Sequence, residues 1–399
     1  MVSTNSSSGP LDGLRVVDVT RVLAGPYSTM MLADMGADVI KVEHPLAGDE
    51  TRSWGPPFTG EFSAYFLAVN RNKRSIGIDL SKPAGREALL SLLNWADVLI
   101  ENFRPSSLAH LRLERSRLKE RFPKLVHCHL YAYQPEGPAA ELPGYDILIQ
   151  AESGLMSLTG DPAGPPMKVG VAVVDVCAGA HAAVAILAAL LRRERSGRGE
   201  YVQIGLMDVA LASLVNVAQG YLVSAQRPAR YGNAHPSIVP YRDFRTADGA
   251  IIVAVGNDRQ WSQLCAALGL EKWGKSPSVA TNEARVRDRQ MVETTLQQHF
   301  EKRPSSEWID LLRGAGVPAG PINTVDDALA SYSQLLIDLE LGPASQTAAI
   351  RSPMRFEQGP VSYRRRPPKL GEQTEEILRS ALGYTDDQIA SLRREGAIK

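Results

Sequence analysis

Over the first 210 residues, short runs rich in β-branched residues alternate with longer stretches of helical period, and this alternation restricts the fold more than any other feature. The runs are LRVVDVT (14–20), DVIKVE (38–43), RSIGIDL (74–80), ADVLIEN (96–102), KLVHCHLYAY (124–133) and EYVQIGLM (200–207). Rich in Val and Ile and poor in charge, they read as strands covered on both faces, hence as a mostly parallel sheet with helices packed on it. Helices are expected over Tyr27–Met35, Pro83–Trp95, Tyr145–Ser157 and Cys177–Arg193, the last ending in SGRG. The texture changes near residue 225, where QRPARYGNAHPS precedes a hairpin, IVPYRDF-RTADG-AIIVAV, whose Asp-Gly is a strong turn signal. Further helices are expected over Asp258–Leu268, Ala284–Glu301 and Ser305–Gly314, then a short strand at PMRFEQ (353–358) and two helices in the tail. A chain of 399 residues is long for one domain. The pattern gives a large domain over 1–224, a smaller inserted domain over 225–330, and a return of 331–399 to the first.

Charge and cysteine usage narrow the function classes. Lys+Arg and Asp+Glu are equal at 44 each, with no long run of one sign, which removes the electrostatic basis for nucleic-acid binding and favours a small-molecule partner. No apolar run approaches the roughly 20 residues of a membrane span, Ala182–Leu191 being the nearest, so no membrane association is expected. Cys128, Cys177 and Cys265 are widely spaced and odd in number, which fits neither a disulfide framework nor a zinc motif; a reducing cytoplasm is expected. The Ser-rich start, MVSTNSSSGP, lacks the apolar segment of a secretion signal.

Several local motifs hold chemistry. The first strand leads into Ala24-Gly25-Pro26, a tight helix entry that leaves free backbone N–H groups; it is either an anion cradle or an ordinary strand-to-helix turn. Asn70, Arg71, Asn72, Lys73 and Arg74 cluster before another strand, as phosphate donors or as a solvated basic turn. IENFRP (100–105) sets amide and cationic donors at a strand's C-terminal end, where ligands of open α/β sheets bind. Asp175 follows the apolar run VGVAVV and precedes Ala178, Gly179 and Ala180. Locally it is a helix N-cap or a reactive carboxylate with room beside it. His127, His129, His181 and His235 lack metal-site spacing, and no GxSxG elbow is present.

Taken together and in order, LDGLRVVDVTRVLAGPYSTMMLADMGADVIKVEHPLAGDETR, VNRNKRSIGIDL, ADVLIENFRP, GYDILIQAESGLMSLTG, GVAVVDVCAG, SGRGEYVQIGLMD, GVPAGPIN and PPKLGEQTEEIL resemble the class III (CaiB/BaiF-type) CoA-transferases over nearly the whole chain. Within that family the chain is most similar to the succinate–hydroxymethylglutarate subgroup, through VNRNKRSI, GNAHPSIVPYRDF and VGNDRQW. The resemblance implies a Rossmann-like α/β large domain built from both chain ends, a smaller inserted α+β domain, and an interlocked homodimer. It implies coenzyme A thioesters as substrates and no prosthetic group or metal. The family's nucleophile falls on Asp175. The CoA-binding positions fall on Arg21, Val22, Leu23 and Ala24, on Asn70, Asn72 and Lys73, and on Asn102 and Phe103, with Tyr133 lining the channel. His235, Ser237 and Arg242 are candidates for a distal substrate carboxylate.

Two departures stand out. Formyl-CoA transferases carry a glycine run where this chain has Gly232–Ser237, and a Gln where it has Leu23, so only the backbone N–H of Leu23 carries over. The resemblance implies transfer from a donor such as succinyl-CoA to a dicarboxylate such as glutarate or hydroxymethylglutarate, through an aspartyl–acyl anhydride and an aspartyl-CoA thioester. A 2-methylacyl-CoA racemase is the alternative in the same superfamily, but its Gly-His-Asp motif reads Gly144-Tyr145-Asp146 here. A tyrosine of ordinary pKa ~10 replaces histidine poorly as a base near neutrality. A CoA-binding protein without catalysis is the other alternative, and the presence of Asp175 argues against it.

Overall fold

The computed structural model describes residues 9–342 and 345–399. Six strands, β1 (Arg15–Asp18), β2 (Asp38–Glu43), β3 (Lys73–Gly77), β4 (Val98–Glu101), β5 (Val126–Tyr131) and β6 (Tyr201–Gly205), form one wholly parallel sheet in the order 3-2-1-4-5-6. Val16, Val17, Val39, Ile40, Val98, Leu99, Ile100 and Val126 have no exposed surface, as the charge-poor runs require of strands covered on both sides. The order reverses between β1 and β4. Chain leaving the ends of these neighbours departs in opposite directions and opens a crevice between them, the usual ligand position in such sheets.

The helices are α1 (Ala24–Asp34), α2 (Ala64–Val69), α3 (Pro83–Trp95), α4 (Pro105–Leu111), α5 (Arg115–Arg121), α6 (Asp146–Glu152) and α7 (Val173–Ser196). The expected Pro83–Trp95 helix is found with its bounds unchanged. The α6 helix stops well short of Ser157, because Gly154 adopts φ 88, a left-handed conformation that ends the helical path. At its other end α7 starts at Val173 rather than Cys177. With 24 residues it is long and apolar enough by length and composition to cross a membrane, contrary to the shorter run read from sequence. Its Ala178, Gly179, Ala182, Ala183, Ile186 and Ala189 face is nevertheless buried, packed on α1 and the β5–β6 edge.

Gly179 explains the close approach of these two helices. A Cβ there would lie 2.5 Å from the Ala24 carbonyl oxygen and 3.1 Å from Tyr27 Cδ1. The small residues after Asp175 therefore bring α7 against the start of α1. They do not leave room for a ligand, as the sequence had suggested.

The chain divides into two compact units, the first comprising residues up to 153, 169–218 and 334–399, the second 154–168 and 219–333. The 154–168 segment thus joins the second unit although it lies in the middle of the first in sequence. In the first unit, the C-terminal helices α8 (Thr374–Ser380) and α9 (Asp386–Arg394) place Ile377, Leu378, Ile389 and Leu392 in one core with Val17, Ile40 and Ile76. PMRFEQ forms no strand. The strands of this region are Leu336–Gly342 and Ser345–Ile350, paired antiparallel, with Leu339 and Leu341 packed on Phe62, Phe66 and Leu67. In the second unit, Tyr241–Arg245, Ala250–Ala254 and Ala319–Pro321 form an antiparallel sheet around Phe244, Trp261, Leu296 and Phe300.

Candidate active site

The turn after β1 is held by Asp18, Lys41 and Asn102. Asp18 accepts from Thr20 N at 2.9 Å and Thr20 Oγ1 at 2.5 Å, and its other oxygen from Thr29 Oγ1 at 2.6 Å. Lys41 Nζ, wholly buried, donates to the Thr20 carbonyl at 2.9 Å and pairs with Asp49 at 2.8 Å. The Asn102 amide accepts from Arg21 N at 3.2 Å and donates to Arg21 O at 3.0 Å. These contacts surround Val22, whose φ of 72 is a rare, strained value for a β-branched residue and persists only where neighbours impose it. The turn then enters α1, where Leu23 makes no side-chain cap; among the described residues the N–H groups of Ala24 and Gly25 have no acceptor.

Asp175 occupies the first turn of α7 but does not cap it. The cap is supplied from α6: Asp146 Oδ1 accepts from Val174 N at 2.8 Å and Asp175 N at 3.2 Å. Gln150, fully buried, fixes the other oxygen at 2.5 Å and is itself held by Val169 N at 2.9 Å. With those N–H groups taken, no hydrogen bond reaches the Asp175 carboxylate from the described residues. Burial, and then the Asp146 charge, push its pKa up to about 7. Asp175 is 9% exposed, so a small part of its surface opens to a cavity.

That cavity, about 450 Å³, lies at the β1–β4 crevice and brings together Arg21, Val22, Leu23, Ala24, Asn102, Phe103, Tyr133 and Asp175. Tyr145 also faces it, in the position that racemases fill with histidine. An adjoining hollow of about 950 Å³ shares Arg21, Glu50, Phe103 and Tyr145 and continues past His44 and Asp79. Tyr65 was not singled out from the sequence. Burial, and then the charges of Asp175, Asp146 and Asp49, push its hydroxyl up to about 12. Its ring meets Trp54 edge-on at 5.1 Å. Nothing local in the sequence marks it, because it lies on α2, more than 100 positions before Asp175.

Asn70, Asn72 and Lys73, which the resemblance sets among the CoA-binding positions, do not line this cavity. All three are buried. Asn70 donates to Phe66 O at 3.0 Å; Asn72 bonds Asp34 at 2.8 Å and Ser362 O at 2.7 Å; Lys73 Nζ meets Asp18 at 3.2 Å, Pro26 O at 2.9 Å and Asn70 at 2.9 Å. Burial brings the Lys73 ammonium down to about 8 despite the Asp18 charge. These groups brace the floor under the β1 turn. His235, Ser237 and Arg242 belong to the second unit. There His235 Nδ1 accepts from Ser237 N at 3.0 Å, and Arg242 pairs with Glu293 at 2.8 Å, so its guanidinium is already compensated.

A doubly wound parallel sheet, with a buried carboxylate facing a cavity at the point where the strand order reverses, is the architecture of an α/β enzyme that binds its ligand across the sheet's edge. Residues 11–374 match the model of CoA-transferase family III. The chain is 43% identical over 379 residues to the succinate–glutarate CoA-transferase of Agrobacterium fabrum, covering 92% of this chain and 95% of the relative. It is 38% identical over 393 residues to the succinyl-CoA:glutarate CoA-transferase of Homo sapiens, covering 98% and 90%. The crystal structure of a CaiB/BaiF family protein from Brucella suis superposes with a TM-score of 0.82 at 40% identity, covering 94% of this chain and 100% of that one. The chain therefore belongs to CoA-transferase family III, enzymes that transfer CoA between carboxylic acids.

Proposed function

We propose that the chain moves CoA from succinyl-CoA to a dicarboxylate such as glutarate or hydroxymethylglutarate, with Asp175 as the covalent carrier. The observation that carries the proposal is the state of Asp175: buried, without a hydrogen-bond donor among the described residues, raised to about 7, and facing the cavity at the β1–β4 crevice. A carboxylate stripped of donors is more basic and more nucleophilic than a solvated one, yet half of it is ionised near neutrality. The donor–acceptor pair follows the two relatives named for succinate and glutarate.

In the proposed sequence, Asp175 attacks the thioester carbonyl. The C–S bond breaks, CoA leaves as thiolate, and an aspartyl–acyl anhydride remains. The thiolate then attacks the aspartyl carbonyl, breaking the C–O bond to release the donor acid and leave an aspartyl-CoA thioester. The acceptor carboxylate repeats the two steps in reverse and regenerates Asp175. Each attack places negative charge on a carbonyl oxygen, and the unpaired N–H groups of Ala24 and Gly25 at the start of α1 are the donors proposed to meet it. The apolar run before Asp175 does not by itself keep water away, since Val171 is 64% exposed.

We also propose a homodimer. The face of α7 turned away from the core leaves Val184 67% and Leu191 65% exposed, and a second copy would cover it. Sedimentation that returns a monomer would remove that part. A dicarboxylate needs a cation or donor at its distal carboxylate, for which His235, Ser237 and Arg242 are the candidates, and an unchanged acceptor KM in His235→Ala would dismiss the first.

The direct test supplies succinyl-CoA with each of a panel of dicarboxylates and reads the CoA esters by mass spectrometry, with hydroxylamine added to trap the enzyme intermediate. A hydroxamate on Asp175, and ¹⁸O passing from labelled glutarate through Asp175 into released succinate, are the expected results. Turnover near wild type in Asp175→Ala would end the proposal. Rapid α-proton exchange of a 2-methylacyl-CoA without acyl exchange would replace it with the racemase.

A further inference from the structure

We infer that Glu101 is a positioning residue for the acyl-CoA: it ties the Asn102–Phe103 turn to β5 and, through Asn102, holds the strained Arg21–Val22 turn at the cavity. This inference rests on reading the cavity as the site of the CoA ester. Glu101 ends β4, has no exposed surface and does not itself line the cavity. Its two oxygens are divided between two elements. Oε1 meets His127 Nε2 at 3.1 Å and His129 Nδ1 at 2.6 Å, both on β5. Oε2 accepts the N–H of Phe103 at 2.9 Å.

A buried carboxylate requires compensation, but the compensation here is not confined to the core. One oxygen is anchored on a central strand and the other grips the first peptide N–H beyond Asn102. The Asn102 amide continues the linkage by bonding both backbone groups of Arg21. The path from β5 to the turn preceding α1 therefore consists of charge-assisted and reciprocal hydrogen bonds, and every element beyond Glu101 faces the cavity. Burial alone would raise the Glu101 carboxyl. The two imidazoles outweigh it and hold the group below its usual range, so it stays ionised and able to grip the Phe103 N–H.

The test is steady-state kinetics of Glu101→Gln with succinyl-CoA and glutarate varied separately. The amide keeps the volume but cannot accept from all three donors. The expected result is a KM for succinyl-CoA raised roughly tenfold, the size of a lost charge-assisted hydrogen bond, with the KM for glutarate unchanged. Equal rises in both KM values, or none in a folded variant, would overturn the inference. A cycle with Asn102→Ala supplies a second reading: acting through one linkage, the two changes together raise the ester KM no further than the larger single effect, whereas multiplying effects would show independence. If Glu101→Gln does not fold, Glu101→Asp keeps the charge and withdraws it from the Phe103 N–H; it is expected to show the same ester-selective defect, and a wild-type ester KM would overturn the inference. Absence of CoA exchange by the wild type would instead count against the proposed function. Calorimetric binding of CoA to wild type and Glu101→Asp then decides the inference alone, weaker binding supporting it and equal binding overturning it.

Discussion

Replacing Asp175 by Asn should stabilise this protein at alkaline pH and not at acid pH, and the size of the effect follows from the site. The carboxyl is raised from 3.8 to about 7 by burial and by Asp146. In the unfolded chain it loses its proton near pH 4; in the folded chain it keeps it until about pH 7. Between those values the folded state binds more protons, so stability falls as pH rises. The shift is about three units, each ~1.4 kcal/mol, so the cost of ionising Asp175 approaches ~4 kcal/mol above pH 7. Asn has the same shape and no proton to lose, and it escapes this cost. Urea unfolding of both proteins at closely spaced pH values from 4.5 to 8.5, followed through a probe in the first unit, should show the Asn variant gaining on the wild type up to about pH 7 and then levelling. The slope should not exceed ~1.4 kcal/mol per pH unit. A difference that does not vary with pH, or an Asn variant that is less stable at pH 8, would refute the account of Asp175 as a carboxylate whose ionisation burial and Asp146 oppose.

Three further outcomes follow from the same geometry. Asp146→Asn keeps an oxygen for the Val174 N–H but removes the charge beside Asp175; the acidic limb of kcat/KM, expected near pH 7 in the wild type, should move to lower pH, yet not as far as 3.8 because burial is the larger cause. Gly179→Ala sets a methyl group 2.5 Å from the Ala24 carbonyl oxygen, so it should cost roughly 1–3 kcal/mol in urea unfolding and lower kcat by shifting Asp175 away from α1. Lys73→Met removes the ammonium paired with the buried Asp18, leaving it the hydrogen bonds of Thr20 and Thr29, and should destabilise by roughly 3–5 kcal/mol while leaving the KM for succinyl-CoA unchanged in the folded enzyme. A KM defect without loss of stability would show that Lys73 reaches the ester.

The sheet was legible because its runs are rich in Val and Ile: DVIKVE coincides with β2 as found, its Lys41 and Glu43 buried against the charges of Asp49 and Arg52. Its order could not be read locally, since β1 pairs with β4 although α1, β2, α2, β3 and α3 lie between them in the chain. The site was legible where its residues follow strand ends, as Arg21–Ala24 and Asn102–Phe103 do. It was less legible where polar residues precede a strand. Asn72 and Lys73 look like open donors because their partners, Asp34, Asp18 and Ser362, lie 38, 55 and 290 positions from the residues they bind. The small residues after Asp175 misled for a similar reason, as Gly179 makes room for the Ala24 carbonyl of another helix. Only contacts distant in sequence decide whether such a residue faces a ligand or its own backbone.

The same limit applies to Asp175, and its resolution bears on the chemistry. A carboxylate in the first turn of a helix is ordinarily stabilised by the helix's free N–H groups and positive end, which lower its pKa. Here Asp146, from 29 positions away, takes those N–H groups first. Asp175 then has the position of a helix anion without its stabilisation, and a second negative charge beside it. Acylation removes that burden: an aspartyl anhydride or thioester carries no charge to repel Asp146 or to be desolvated. Destabilising the free carboxylate therefore favours both proposed covalent intermediates relative to the resting enzyme, without any additional binding of substrate. The exchange between two thioesters is close to neutral overall, so the intermediates must be neither too high nor too low. Asp146→Asn tests this directly. Stabilising the free carboxylate should lower the fraction of enzyme held as aspartyl-CoA when succinyl-CoA is supplied alone. An undiminished fraction would show that the Asp146 charge does not govern the carrier.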